Sequence, residues 1–185
     1  GGFVAIWQRS PDAADQTGDL YGRTYDANGG ATSTEFKIAD GLARDLYFRT
    51  PSVDTFSDGS FVVTYYSFPS GAASGSSIDT DVWVQRVNAN GTLNGSYFSP
   101  ATTNAVGQTS TAGGQIAPDV AVLKDGGFVV TWYTDIRNAD NSAIVEQNAH
   151  EQRYNAAGQP VPIAGTTAGA PDVTVSTTSG PRPDA

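Results

Sequence analysis

Sixteen Asp and three Glu make up the acid of this 185-residue chain, and seven of the Asp lie in three stretches. Residues 10–19 hold Asp12, Asp15 and Asp19; residues 67–81 hold Asp79 and Asp81; residues 134–148 hold Asp135, Asp140 and Asn141. A hard cation takes several oxygen ligands from a flexible loop. Asp12, Asp15, Asp19, Asp135 and Asp140 are therefore the candidate metal ligands, Ca²⁺ is the ion they suit, and the first loop is the best candidate. None of the three has an Asp-x-Asp-x-Asp-Gly order, and Asp that bonds neighbouring backbone N–H groups in turns accounts for the same residues without a metal.

A second kind of chemistry is stacking on sugar rings. Aromatic residues recur as Trp7, Tyr65-Tyr66 and Trp132-Tyr133. Trp7, Tyr65 and Trp132 share one register with flanking Phe and Val and are expected in the core. Tyr66 and Tyr133 fall on the opposite strand face and are the candidate ligand-binding residues, with a cell-surface glycan or protein as partner. Catalysis has little to build on. His150 is the single His, there is no Cys, and no Ser lies in a Gly-x-Ser-x-Gly turn. The expectation is a protein that is not an enzyme, with no catalytic residue assigned. The alternative is a glycoside hydrolase or lyase using an Asp pair.

The elements that position these residues come from an internal repeat. Gly2-Phe3-Val4-Ala5-Ile6-Trp7, Ser60-Phe61-Val62-Val63-Thr64-Tyr65 and Gly127-Phe128-Val129-Val130-Thr131-Trp132 align without gaps, their Phe residues 58 and 67 positions apart. Pro51-Ser52-Val53 and Pro118-Asp119-Val120 precede two copies by ten residues, and Pro171-Asp172-Val173 opens another. Tyr25-Asp26-Ala27-Asn28-Gly29, Val87-Asn88-Ala89-Asn90-Gly91 and Tyr154-Asn155-Ala156-Ala157-Gly158 follow. Phe36 and Phe98 each stand seven residues past their Gly, where the third copy keeps only Val161 and Ile163.

Each unit reads as four short strands, A to D, joined by hairpins. Asp58-Gly59 and Asp125-Gly126 supply the positive φ angles of the first turn, and the Asx-Ala-x-Gly run makes the second. Strand B is almost continuously apolar, which predicts cover on both faces. Tyr21, Trp83 and His150 share a register in strand C and form a packing position. The fold class is all-β, of β-propeller type, with about three four-stranded antiparallel blades. One repeat domain spans 1–185: blade 1 about 1–45 plus a strand at 171–176, blade 2 about 50–105, blade 3 about 116–165. The C-terminal strand then completes the N-terminal blade. Three blades make an awkward ring, so an arc of a larger propeller and a homodimer closing a six-bladed ring are open alternatives, as are a β-sandwich or solenoid.

The 21 Gly and 10 Pro fit a dozen strands and their turns, and the formal net charge of −9 with no basic cluster argues against nucleic acid. No apolar run approaches the ~18–20 residues of a membrane span. With no Met and a first residue inside an apolar segment, the chain reads as a piece of something larger.

The run 118–132 (Pro-Asp-Val-Ala-Val-Leu-Lys-Asp-Gly-Gly-Phe-Val-Val-Thr-Trp), followed by Glu151-Gln152-Arg153-Tyr154-Asn155-Ala156-Ala157-Gly158-Gln159-Pro160-Val161, resembles tandem repeats of very large type I-secreted, RTX-related bacterial adhesins and calcium-binding surface proteins. The second unit repeats it with Asp58-Gly59-Ser60-Phe61-Val62-Val63-Thr64-Tyr65 and Val84-Gln85-Arg86-Val87-Asn88-Ala89-Asn90-Gly91; the first departs, with Arg23-Thr24 in place of Gln-Arg. The resemblance implies a secreted or cell-surface bacterial protein with a binding or spacer role. It does not bring the RTX calcium mode, because the Gly-Gly-x-Gly-x-Asp nonapeptides are absent.

Overall fold

Each Phe-containing segment becomes a strand of its own antiparallel sheet in the computed structural model, which describes residues 1–10, 18–41, 46–69, 80–100, 114–138, 143–162 and 173–179. Sheet 1 has the order β1 (Phe3–Arg9), β2 (Asp19–Tyr25), β3 (Phe36–Ala39). Sheet 2 runs β4 (Leu46–Thr55), β5 (Phe61–Pro69), β6 (Asp81–Val87), and Phe98 adds a bridge to Val84 on its edge. Sheet 3 contains β7 (Gly114–Val122), β8 (Phe128–Arg137), β9 (Ile144–Tyr154) and β10 (Pro160–Val161), with β11 (Val173–Ser179) also on β9. The all-β reading holds. Among the described residues no helix is long and apolar enough to cross a membrane.

One expectation is corrected here. Residues 173–179 do not complete the first sheet; they pair antiparallel with β9, from Val173 opposite Glu151 to Ser179 opposite Glu146. The reason lies in the third unit. Strand β10 covers only Arg153 and Tyr154, so the long edge of β9 from Glu146 to Glu151 is left open, and unpaired strand edges recruit whatever extended segment can reach them.

The hairpins are built alike. Phe56 N–H donates to the Ser60 carbonyl and Leu123 N–H to that of Gly127, both at 2.8 Å, while Gly59 and Gly126 donate back to Phe56 and Leu123 at 3.0 Å. Only the glycine takes a left-handed φ (85° and 82°), so these are turns closed by a glycine bulge, and Asp58 and Asp125 serve differently from the expectation. The Asp58 carboxylate accepts from Ser60 N–H and hydroxyl, and Asp125 accepts from Gly127 N–H.

A second device recurs in the strands before these turns. Thr50 and Ala117, each just ahead of a Pro, have φ of 40° and 50°, and the register shifts there in both sheets. Two residues, Thr50-Pro51 or Ala117-Pro118, oppose one aromatic, Tyr65 or Trp132. Left-handed non-glycine residues cost about 1–3 kcal/mol and persist where the surroundings hold them.

The sheets stack in chain order with sheet 2 in the middle. Val62, Val82 and Val84 pack with Val120, Phe128, Val130, Trp132 and Tyr154 of sheet 3. Phe61, Val63, Tyr65 and Val87 pack with Leu20 and Ile38 of sheet 1. Strand β5 is thus covered on both faces as its sequence predicts, whereas β8 alternates, with Thr131 and Tyr133 exposed. The strand C position is a cross-strand partner of strand B: Tyr21 lies opposite Trp7, Trp83 opposite Tyr65 and His150 opposite Trp132.

Gly91 sits where sheets 1 and 2 meet, with φ of 86° and the Phe36 ring where a Cβ would stand. Gly91→Ala should meet both left-handed strain and overpacking, each about 1–3 kcal/mol. Gly59→Ala carries only the first, since its Cβ would meet Ala89 at an ordinary 3.4 Å. Urea unfolding of the two variants should show Gly91→Ala the more damaging; equal losses would contradict the packing against Phe36.

Candidate functional site

The strand ends that carry the Asp-rich connections are where the sequence places chemistry. Asp12, Asp15 and Asp140 lie outside the described residues, as does Asp79. Asp19 and Asp135 are both described, and both are buried.

Asp19 opens β2. Its Oδ1 accepts from Gly41 N–H at 3.1 Å, its Oδ2 meets Lys37 Nζ at 2.6 Å, and Tyr21 donates its hydroxyl to Oδ2 at 3.3 Å. The ammonium of β3 neutralises the carboxylate, so a cation at Asp19 would have to displace Lys37. Among the described residues no group of three His, Asp or Glu could hold a metal ion. Asp19 therefore works as a clasp between β2 and β3. The sequence holds only two Lys, but nothing local in it joins Lys37 to a residue 18 positions earlier.

That clasp has a pH signature. The Asp19 carboxylate raises the Lys37 ammonium above its ordinary value, and Asp40, 3.5 Å away, adds to this. A raised ammonium stabilises the fold fully below the unfolded pKa of about 10.4, and that contribution is lost as pH rises through the folded value. Lys37→Met should lower stability at neutral pH by less than the loss of a wholly buried pair, because Lys37 is 42 % exposed. It should also flatten the alkaline fall in stability, measured by urea titration across about pH 9–12. An unchanged alkaline slope would refute the clasp.

Asp135 ends up in sheet 3, where Gln147 Nε2 donates to its Oδ1 at 2.7 Å. Tyr66, half-buried against the core between sheets 2 and 3, stands in the same neighbourhood. Burial pushes its phenol up, the Arg49 guanidinium partly offsets this, and the Asp135 carboxylate adds to the rise. Tyr66 thus stays neutral, and its ionisation in the unfolded chain erodes stability in the same alkaline window, so Tyr66→Phe must accompany Lys37→Met in that titration. Tyr66, Arg49 and Asp135 thus influence one another electrostatically, and Gln147 holds the buried carboxylate.

Tyr133, the other candidate, is 43 % exposed. It stands on the face of sheet 3 turned away from sheet 2, whereas Tyr66 lies between the two sheets. The structure does not bring Tyr66 and Tyr133 to one site, although they occupy equivalent positions in the repeat.

No family model matches the chain, and no curated protein does. In fold it is similar to a crystal structure of a protein of unknown function from Dyadobacter fermentans, at a TM-score of 0.56 and 12 % identity. The match covers 96 % of this chain and 40 % of that one, so the chain spans about two fifths of its neighbour's length. At that identity the likeness speaks for the all-β fold alone.

The recurring Gln is what sequence reading undervalued. Gln85 and Gln152 are fully buried, and their Nε2 atoms donate to the Arg86 and Arg153 carbonyls (2.7 and 2.6 Å) and onward to those of Gly95 and Val161 (3.2 and 3.3 Å). They tie strand C to the segment after its turn. In the first unit Arg23 does the same, its Nε donating to the Ser33 carbonyl at 3.2 Å. The recurrence of Gln-Arg is the signal that could have found them. Gln115 joins sheets in a similar way: its N–H donates to the Thr80 carbonyl, and its Oε1 accepts from Val82 N–H. No comparable signal marks it.

Proposed function

We propose that this chain is a non-catalytic binding or spacer module of a large secreted bacterial surface protein, built from propeller-type blades. The observation that carries the reading is the employment of its carboxylates. Asp19 clasps Lys37, Asp135 takes Gln147, Asp125 pairs with Arg153, and Asp119 accepts from the Ser52 hydroxyl at 2.5 Å. Asp54 accepts from Val122 N–H at 2.7 Å. Side chains occupied in joining strands suit a scaffold better than an acid–base pair. The last two contacts link β4 to β7, the first strands of neighbouring sheets, as innermost strands of adjacent blades would be linked. The resemblance to secreted adhesin repeats supports the location.

A carbohydrate is the proposed ligand of a binding role, in keeping with the recurring aromatic residues Tyr66 and Tyr133, which could stack on sugar rings. A glycan array is expected to give hits, lost on Tyr66→Phe or on Tyr133→Ala according to which of these two separate positions carries the site. Turnover of glycoside substrates, abolished by Asp54→Asn or Asp119→Asn, would overturn the non-catalytic reading in favour of a hydrolase. Melts with Ca²⁺ and with EDTA test the cation: a ligand held by the native state must raise the midpoint.

A further inference from the structure

The two junctions between sheets follow one rule, and the outer faces of sheets 1 and 3 are the two halves of a third. At the junction of sheets 2 and 3, Phe128 and Tyr154 stack at 4.7 Å and 14° and are buried. What covers them comes from sheet 2: Phe98 lies 5.3 Å from Tyr154, and Phe56 lies 6.2 Å edge-on to Phe128. Arg86 crosses the same junction, donating to the Ala156 carbonyl of the next unit's turn at 3.0 Å. At the junction of sheets 1 and 2, Phe36 covers Phe61 at 6.0 Å, and Val4 and Ile6 pack inward.

The repeat places Phe3 and Tyr25 where the third unit has Phe128 and Tyr154. They stack in the same way, at 4.8 Å and 10°, yet Phe3 is 52 % exposed. Trp7 stacks on Tyr21 beside them, and Arg9 and Arg23 lie over the Tyr21 and Tyr25 rings. At the other end, Val129, Thr131 and Tyr133 stand where the second unit has Val62, Thr64 and Tyr66, which sheet 3 covers. Arg153 stands where Arg86 does, but among the described residues no following turn lies beside it, and it pairs with Asp125, partly exposed. More exposed in one unit than in another, the same residue types mark junction faces that no other described sheet covers.

We propose that a second copy of this chain seats the Phe3–Tyr25 face of its first sheet on the Val129–Tyr133–Arg153 face of the third sheet, head to tail. Arg153 then leaves Asp125 and donates to the Ala27 carbonyl of the second copy, the counterpart of the Arg86 contact to Ala156. An outer aromatic face meeting a mixed aliphatic and Arg face is the composition of the internal junctions, which makes a like unit the fitting occupant. Such an interface is heterologous; two copies close on themselves with two equal junctions, and the closed dimer is the expected species. The inference rests on the stacking of the sheets and not on the surface-protein reading, which glycan and Ca²⁺ measurements test separately.

Sedimentation velocity of the chain, from micromolar to near-millimolar concentration, is expected to show a species of twice the monomer mass. Phe3→Glu or Tyr133→Glu alone should weaken closure of the dimer roughly a hundredfold or more, about tenfold at each of its two junctions. An equimolar mixture of the two variants keeps one wild-type junction, the third sheet of Phe3→Glu against the first sheet of Tyr133→Glu, so a dimer joined there and open at the doubly substituted junction is the expected mixed species. A wild-type chain that stays monomeric or a dimer indifferent to both substitutions would each overturn the proposal. Open multimers in place of dimers would overturn closure while upholding the junction. Circular dichroism confirms that the variants fold, and Phe3→Ala with Arg153→Ala replaces either glutamate that does not.

Discussion

Trp132→Ala is expected to destabilise the chain by about 3–5 kcal/mol, the range for emptying a large aromatic site in a core. Trp132 is 2 % exposed and sits in the cluster that joins sheets 2 and 3, with Val62, Val84, Phe128 and Val130. It stacks on His150 across the strand at 5.4 Å and 11°, and the bulge at Ala117-Pro118 lies on its other side. Removing the indole therefore opens a cavity, breaks a stacked pair of about 0.5–1.5 kcal/mol, and withdraws the packing that holds Ala117 at a left-handed φ. Urea unfolding at neutral pH reads the loss directly, and a thermal midpoint lower by on the order of 10 °C should accompany it. Trp132→Phe keeps a ring opposite the bulge and should lose well under half as much. A loss below about 1 kcal/mol for the alanine variant would mean that the junction collapses around the gap.

What the sequence disclosed follows from the range of the forces involved. Strand B and its hairpins were legible because alternation and turn glycines act within a few residues: Phe61 to Tyr65 and Gly59 are enough to write a strand and the turn before it. Both faces of β5 could be assigned to burial because Val62 and Val63 are apolar on opposite sides. The place of residues 173–179 was not legible. Pro171-Asp172-Val173 carries the pattern of a first strand, but pairing is decided by which edge lies open, and that depends on how short β10 is. The same limit applies to the candidate site. Asp19 could be picked out as a carboxylate at a strand start, yet its meaning changed once β3 brought Lys37 beside it. Tyr66 and Tyr133 look alike in sequence and differ in surroundings because sheet 3 covers the first, and no described sheet covers the second.

Phe61→Ala should cost a similar amount, about 3–5 kcal/mol, but at the other junction. Phe61 is fully buried, opposite Val87 in its own sheet and 6.0 Å from Phe36 of sheet 1. The informative quantity is where the loss appears. In stacked repeats, stability is close to a sum of unit terms and nearest-neighbour junction terms, so weakening one junction frees the units on its far side first. Sheet 1 has three strands and packs on sheet 2 alone among the described sheets, which makes it the least supported layer. Hydrogen exchange of Phe61→Ala should therefore show the amides of Val4, Ile6, Leu20 and Gly22 losing protection by far more than those of Val130 and Gln152. Trp132→Ala should show the reverse order. If both variants lower protection evenly throughout, the three sheets unfold as one cooperative body, and junction terms must dominate unit terms. Head-to-tail association adds a further test of the same balance: covering Phe3 and Tyr25 with a second copy gives sheet 1 a second neighbour. Its protection should then rise with protein concentration in the wild type, and Phe3→Glu should abolish that rise.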